Sequence, residues 1–405
     1  MLYNETEILA YNEIDNYRSN MKHHTRHKWI YRILLALVAP FFKWRMGYRC
    51  LPAGKLEKPY IVLANHTTDI DPVLVAMSFP QQMYFVASEH IYRWGFVSKL
   101  LSWCFAPIAR AKGSTDARTV MDILSRLHAG YNVCIFAEGN RSFNGLTTEI
   151  LPSTGKLVKA TGAMLVTYKL EGGYFTSPRW SRSMRRGKMF GHVAGKYSAA
   201  QLKDMTNEEV SALIERDLFE DAYARQHATP VRYRGKHLAE HLETTLYLCP
   251  RCKRIGTLHS ENDRLTCNCG LQAQYSEFGE LSGEGLPFKT VTEWDQWQSA
   301  QLLNIAGDVG EVPICSDIEQ NLYRVQAAAG RILLARDTLK LFRDRLECGT
   351  HVFPISKISN MAIYGAMSLI FTTTDGGYFE IISDHPRSAT KYLTLFRAFK
   401  QKLLS

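Results

Sequence analysis

Apolar runs bounded by turn residues recur through the first half of the chain. Tyr60-Ile61-Val62-Leu63-Ala64, Gln82 to Ala87, Asn132 to Phe136 and Met164 to Tyr168 each read as a buried strand. Between them the period changes. Val120, Ile123, Leu124 and Leu127 are spaced for a helix over Thr115 to Ala129, which Gly130 should stop. Gly155 to Ala163 and Asn207 to Gln226 are the next predicted helices, the second with Val210, Leu213, Ile214 and Leu218 on one face. Met46 to Leu56 should form a strand and a turn. Strands alternating with helices predict an α/β domain over 49–235: a mixed, largely parallel sheet flanked by helices. In such sheets, sites gather beyond the carboxyl ends of the strands.

Upstream, residues 1–28 read as a polar lead-in and 29–48 as an apolar helix. Its centre runs from Ile33 to Phe42. Lys22, Arg26, Lys28 and Arg32 precede it, Lys43 and Arg45 follow it, and Trp29, Tyr31 and Trp44 mark its ends. It is too short for a transmembrane span, and its aromatic and cationic margins suit a bilayer interface as well as a buried position.

The second half has another grammar. Cys249-Pro250-Arg251-Cys252 and Cys267-Asn268-Cys269 pair a C-x2-C with a C-x-C around a predicted hairpin, Ile255 to Leu265. Four thiolates in two knuckles predict a zinc-ribbon-like module over 240–278 with a structural Zn2+ and no position left for water. Beyond it, 290–405 opens with a helix at Thr292 to Asn304. Short strands follow at Tyr323 to Val325, Arg331 to Ala335, Thr338 to Phe342, His351 to Phe353, Ser368 to Thr372 and Tyr378 to Ile382, with a hairpin turn at Asp375-Gly376-Gly377. Ser388 to Leu404 closes the chain as an amphipathic helix. Strands followed by one helix resemble a pleckstrin-homology or GRAM-like barrel.

Composition sharpens the choice of partner. The chain has 405 residues, enough for two or three domains, and its formal net charge is +10. That balance favours an acidic partner: anionic lipid, phosphorylated substrate, acidic carrier protein or nucleic acid. Arg179, Arg182, Arg185, Arg186, Lys188 and Lys196 concentrate it between Pro178 and Lys196. No secretory signal is read at the start, and the nine cysteines suit a metal site in a reducing compartment, so a cytoplasmic-side location is expected.

Candidate chemistry lies where predicted strands end. His66 leaves the first strand, and Asp71 stands before Pro72, where it should cap a helix. A carboxylate folded back onto the imidazole would fix its tautomer, leaving the other nitrogen to take a proton from an alcohol. Glu138 leaves another strand within Phe136-Ala137-Glu138-Gly139-Asn140-Arg141-Ser142. Arg110 and Arg141 could grip a phosphate through guanidinium forks, with Lys112 as an extra contact. Gly139 would let backbone approach a ligand, and Glu138 could order Arg110, Arg141 or an acceptor's hydroxyls. Backbone N–H groups at the strand ends could supply an oxyanion site.

Asn65-His66 with Asp71, the apolar run ending at Arg110, and the Glu138-Gly139-Asn140-Arg141-Ser142 box, in that order and with His66 and Glu138 about 70 residues apart, resemble the lysophosphatidic acid (1-acylglycerol-3-phosphate) acyltransferase family over roughly residues 30–225. Ala137 and Asn140 replace that family's Pro and Thr, and Met164 to Tyr168 lacks the Pro of its fourth box. The resemblance implies His66 and Asp71 as the catalytic pair. It implies Asn65, Arg110, Glu138, Gly139, Arg141 and Ser142 around an anionic lysophospholipid at a membrane surface. Acyl-CoA or an acyl-carrier protein would be co-substrate. The rivals are a non-catalytic lipid- or protein-binding scaffold on the same fold and a ribbon-led nucleic-acid-binding protein. An intact His66/Asp71 pair argues against the first, and the second leaves the His and Glu boxes unexplained.

Overall fold

The computed structural model describes residues 24–89, 91, 96–110, 117–305, 311–326 and 330–404. The lead-in up to residue 23, Lys112 and the expected helix start at Thr115 lie outside them. The described residues divide into two compact units, 24–178 with 184–234, and 179–183 with 235–404.

In the first unit the helix α1 (His24–Met46) leads into β1 (Tyr48–Cys50) and β2 (Tyr60–Ala64). The short α2 (Asp71–Ala76), β3 (Met83–Ser88), α3 (Phe96–Phe105), β4 (Ile108–Arg110), α4 (Ala117–His128) and β5 (Asn132–Phe136) follow. The unit continues with α5 (Ser153–Thr161), β6 (Met164–Glu171), α6 (Gly173–Thr176), β7 (Met189–Tyr197), α7 (Ala199–Asp204), α8 (Asn207–Leu218) and α9 (Ala222–Ala228). Seven strands form one sheet in the order β1-β7-β6-β2-β5-β3-β4. Every pairing is parallel except β6 with β7, so the sheet is mixed and largely parallel.

β2 and β5 are buried at every residue because helices cover both faces, which is why they read as unbroken apolar runs. The two-residue period of a strand sorts their side chains. Ile61, Leu63, Val133 and Ile135 pack with Ile123 and Leu127 of α4, Val158 of α5 and Val210 and Ile214 of α8. Tyr60, Val62, Ala64, Cys134 and Phe136 pack on the opposite face with Met46, Leu74 and Val75.

The expected helix from Asn207 to Gln226 is instead two. Phe219 turns out of helical geometry, and Asp221 caps α9 by accepting from the Ala224 N–H at 2.9 Å. The break is held by a neighbouring loop: Thr147 N–H donates to Glu220 O at 3.0 Å, and Ala222 N–H to Gly145 O at 2.9 Å. The basic stretch 178–196 is partly a strand. Its second half is β7, and Arg185 is buried.

In the second unit β8 (Leu258–Glu261), β9 (Arg264–Cys267), β10 (Gln272–Tyr275) and β11 (Leu281–Ser282) make a small antiparallel sheet beside α10 (Val291–Ile305). Then β12 (Cys315–Gln326), β13 (Gly330–Leu341), β14 (Arg345–Cys348), β15 (His351–Pro354), β16 (Ile358–Tyr364), β17 (Ser368–Thr373) and β18 (Tyr378–Ser383) form an antiparallel sheet ordered β15-β14-β13-β12-β18-β17-β16, followed by α11 (Thr390–Leu404). The two strands expected from Arg331 to Phe342 are one, and β14 and β16 join those expected.

Candidate active site

β2 ends at Ala64, and the next residue fastens the strand end. Asn65 donates through Nδ2 to Leu170 O at 2.8 Å and accepts from Leu170 N–H through Oδ1 at 2.7 Å. It is buried and tied to β6, so it positions backbone and touches no open space. His66 follows with its ring stacked on Phe136, centroids 4.6 Å apart. His66 Nδ1 lies 2.9 Å from Asp71 Oδ2; the His66 side chain is 22% exposed and that of Asp71 is 0% exposed. That contact assigns the proton to Nδ1 and leaves Nε2 as the basic nitrogen.

Asp71 is not the expected N-cap. Ile70 holds that position, and Asp71 is the first helical residue, with Pro72 behind it. Its carboxylate turns back into the loop instead. It accepts from Thr67 N–H at 2.5 Å, Thr68 N–H at 2.9 Å and Thr68 Oγ1 at 2.6 Å, besides His66. The H-x4-D spacing thus makes a closed loop in which one buried carboxylate gathers the amides and orients the ring. Gly173 completes the packing, because a Cβ there would fall 2.1 Å from Thr67 Oγ1.

The loop after β5 meets this one from the side. Glu138 Oε1 accepts from His66 N–H at 2.6 Å, and Oε2 accepts from Thr148 N–H at 2.5 Å and Thr148 Oγ1 at 3.0 Å. Sequence alone pointed Glu138 at Arg110, Arg141 or an acceptor's hydroxyls; both of its oxygens bind inside the protein. Burial pushes its carboxyl up to about 8, against the downward pull of the His66 and Thr148 donors. Gly139 has φ +70°, and the Arg110 guanidinium lies over it, 3.5 Å from where a Cβ would stand. Arg141, nine-tenths buried, reaches the exposed Asp69 carboxylate at 2.5 Å. Ser142 closes the turn: its Oγ donates to Leu146 O and accepts from Gly145 N–H, and its own N–H donates to His66 O at 3.1 Å.

His66, Asp71, Glu138, Gly139, Arg110, Arg141 and Ser142 therefore belong to one strand-end assembly. The amides of His66, Thr67, Thr68, Ala137, Gly139 and Ser142 all donate within the protein, so these strand-end groups do not form the expected oxyanion site. Sequence reasoning passed over Thr67, Thr68 and Asp69 inside the His66 loop, and Phe136 and Thr148 outside it. The two threonines and Asp69 lie within the motif itself, whereas nothing marks Thr148.

A nitrogen base on a carboxylate, beside the buried Arg141 and the half-buried Arg110, is equipped to take a proton from a hydroxyl and hold an anionic group nearby. Residues 47–171 match the acyltransferase family model. The stretch holds every residue of this assembly, from His66 to Thr148, together with Leu170 and its bonds to Asn65. No curated protein matches the chain. Among solved structures, the chain is similar to the 1-acyl-sn-glycerophosphate (LPA) acyltransferase PlsC from Thermotoga maritima, at 16% identity and a TM-score of 0.38, over 46% of this chain and 78% of that one.

The four cysteines form a separate cluster in the second unit. The thiol sulfurs of Cys249, Cys252, Cys267 and Cys269 all lie within 4.8 Å of one another. Cys249 and Cys269 are 3.7 Å apart, as are Cys252 and Cys267. Sulfurs bound tetrahedrally at about 2.3 Å stand about 3.8 Å from one another, so the set fits zinc. α10 braces the first knuckle: Gln298 Oε1 accepts from Tyr247 N–H at 2.9 Å, and Trp294 Nε1 donates to Leu248 O at 2.9 Å.

Proposed function

We propose that this chain is an O-acyltransferase working at a membrane surface. It moves a fatty acyl group from a thioester, acyl-CoA or an acyl-carrier protein, to a hydroxyl of a lysophospholipid such as 1-acylglycerol-3-phosphate. The observation that carries this reading is the His66–Asp71 contact, which leaves Nε2 basic on a partly exposed ring. Nε2 takes the hydroxyl proton while the acceptor oxygen attacks the thioester carbonyl. The C–S bond breaks, and the thiolate recovers the proton from the imidazolium, which Asp71 stabilises. The acyl group passes directly, without an acyl-enzyme. Arg110 and Arg141 would hold the acceptor's phosphate.

Membrane contact is supported by two helices. Trp29, Ile33, Leu37, Phe41 and Trp44 form an exposed stripe along α1, and Phe96, Leu100 and Trp103 are exposed on α3. Arg26 ties the two helices, donating to Trp103 O at 3.0 Å with its guanidinium 4.5 Å from the Trp103 ring centroid. Among the described residues no helix is long and apolar enough to cross a membrane. We place the protein peripherally on the cytoplasmic side, on the exposed stripes of α1 and α3 and on nine cysteines that suit a reducing compartment. We read β12 to β18 with α11 as a barrel of the pleckstrin-homology or GRAM kind, and the cysteine cluster as a zinc staple that joins β8 and β9 to α10.

The deciding measurement is acyl transfer across a lysophospholipid panel with both thioester donors, for wild type and His66→Ala. The substitution should lower kcat on the order of 10³-fold; equal rates would overturn the mechanism. Purified protein should carry about one zinc per chain, and a metal-free protein with an unchanged melting temperature would refute the staple.

A further inference from the structure

A cleft of roughly 220 Å³ opens at the other end of the first unit's sheet, lined among others by His24, Lys28, Arg32, Lys58, Tyr131 and Asn132. It sits where β2, β3 and β5 begin. Asn132 makes its floor rigid: Oδ1 accepts from Tyr60 N–H at 3.3 Å, and Nδ2 donates to Gln82 O at 3.1 Å. From Tyr60 to Ala64 the chain runs the length of β2, about 13 Å at the usual rise of a strand, and His66 lies beyond its far end. The cleft is therefore separate from the assembly at the carboxyl ends.

Its charge is one-sided. Lys28 and Arg32 stand a turn apart on α1, Lys58 precedes β2, and among the described residues no lining residue is acidic. Among the described residues none of these three cations forms an ion pair. His24 lines the same cleft, stacked on Tyr131 at 4.3 Å with Nδ1 3.1 Å from Tyr84 Oη. Burial first, then the charges of Lys28 and Lys58, lower its pKa from the ordinary imidazole value. Three exposed cations around this hollow, with no acidic residue in its described lining, suit an anion with several acceptor oxygens.

The position on α1 says which anion. Helical residues advance by about 100°. Lys28 and Arg32 therefore stand between the buried Tyr31 side and the exposed stripe that begins at Trp29. A phosphate held there would sit beside the surface that enters the lipid, with room for acyl chains along the stripe. We propose that this cleft binds the phosphodiester of an anionic phospholipid that is not itself acylated, a second lipid site that seats the domain on the membrane. The inference rests on the reading that α1 lies on a bilayer.

Partitioning of the full chain onto vesicles tests it. Phosphatidylcholine vesicles and phosphatidylcholine–phosphatidylglycerol vesicles are compared for wild type, for Lys28→Gln/Arg32→Gln/Lys58→Gln, and for a control with the same charge loss at other exposed cations away from α1, Arg49→Gln/Lys55→Gln/Lys203→Gln. The cleft variant should lose on the order of a hundredfold in partitioning onto the anionic vesicles and nothing on the neutral ones, with the control losing far less. Equal losses in both triple variants would mean diffuse attraction and would overturn the site. Wild type that ignores both vesicles would refute the membrane reading itself, whereas equal binding to both would refute only the cleft. Inorganic phosphate, added without vesicles and followed through the His24 ring resonances, is the remaining arm. Saturable binding lost in the cleft variant, with vesicle partitioning intact, would assign the cleft to a soluble anion instead.

Discussion

The loops after β2 and β5 leave neighbouring parallel strands, and each carries a buried carboxylate that gathers backbone amides. Only one of them presents a reactive atom. Asp71 collects the amides of Thr67 and Thr68 and also holds the His66 ring by one nitrogen, so the other nitrogen is free to act. Glu138 takes the amides of His66 and Thr148 and stops there. The same interaction, a carboxylate satisfied by N–H donors, orients a base in one loop and welds two loops together in the other. What separates them is whether a titratable ring lies among the donors.

Removing the charge from Asp71 should break this comparison most sharply. Asp71→Asn keeps the shape but no longer fixes the Nδ1–H tautomer or stabilises the imidazolium. We expect kcat to fall on the order of 10³-fold with acceptor KM nearly unchanged. A kcat within about tenfold of wild type, in protein that melts normally, would mean that Asp71 is only a brace and that the two loops are alike.

Glu138→Gln is the matching change in the other loop, and its main effect should be on stability. Once the wild-type carboxyl ionises, above about pH 8, both its oxygens accept hydrogen bonds, whereas the Gln NH2 must face a donor, at a cost of about 1–3 kcal/mol there. kcat should fall by about tenfold or less, and acceptor KM should stay constant. A raised KM with unchanged melting would return Glu138 to the acceptor site. The pH dependence adds a second readout. In the folded chain the Glu138 carboxyl is raised to about 8 from an ordinary 4.5. Between those values the folded state holds a proton that the unfolded state has released, so wild-type stability should fall as pH rises through the window. The Gln variant should lack that contribution, and subtracting the two melting profiles isolates it.

Most of this scaffold was legible in the chain. Tyr60 to Ala64 and Asn132 to Phe136 read as strands because burial on both faces leaves an unbroken apolar run. The spacing of His66 to Asp71 and of the four cysteines is local chemistry and survives folding unchanged. What failed to show was set from a distance. The division of α8 from α9 depends on Gly145 and Thr147 bonding to Ala222 and Glu220. β14 mixes charged and apolar residues in four positions, Arg345-Leu346-Glu347-Cys348, too few for a period to emerge. The role of Glu138 was hidden for the same reason: its partners are an amide on another strand end and Thr148, ten residues on. Arg141 was recognisable as a cation, but its engagement by Asp69 depends on two loops meeting.

That last pair yields the smallest effect and the finest test of how the loops divide their work. Asp69 is 84% exposed on its side chain, while the Arg141 side chain is 10% exposed, so an exposed carboxylate from the His66 loop occupies a buried fork from the Glu138 loop. If Arg141 receives the acceptor's phosphate, Asp69 competes for the same guanidinium and must swing aside as the acceptor binds. Asp69 is open to water, which screens the pair to about 1 kcal/mol, so Asp69→Asn should lower acceptor KM by up to about fivefold, with kcat unchanged. Added salt should shrink the difference, because screening weakens the competing pair. Should KM rise instead, Asp69 is holding Arg141 in its binding position. The His66 loop would then contribute to acceptor recognition as well as to proton transfer.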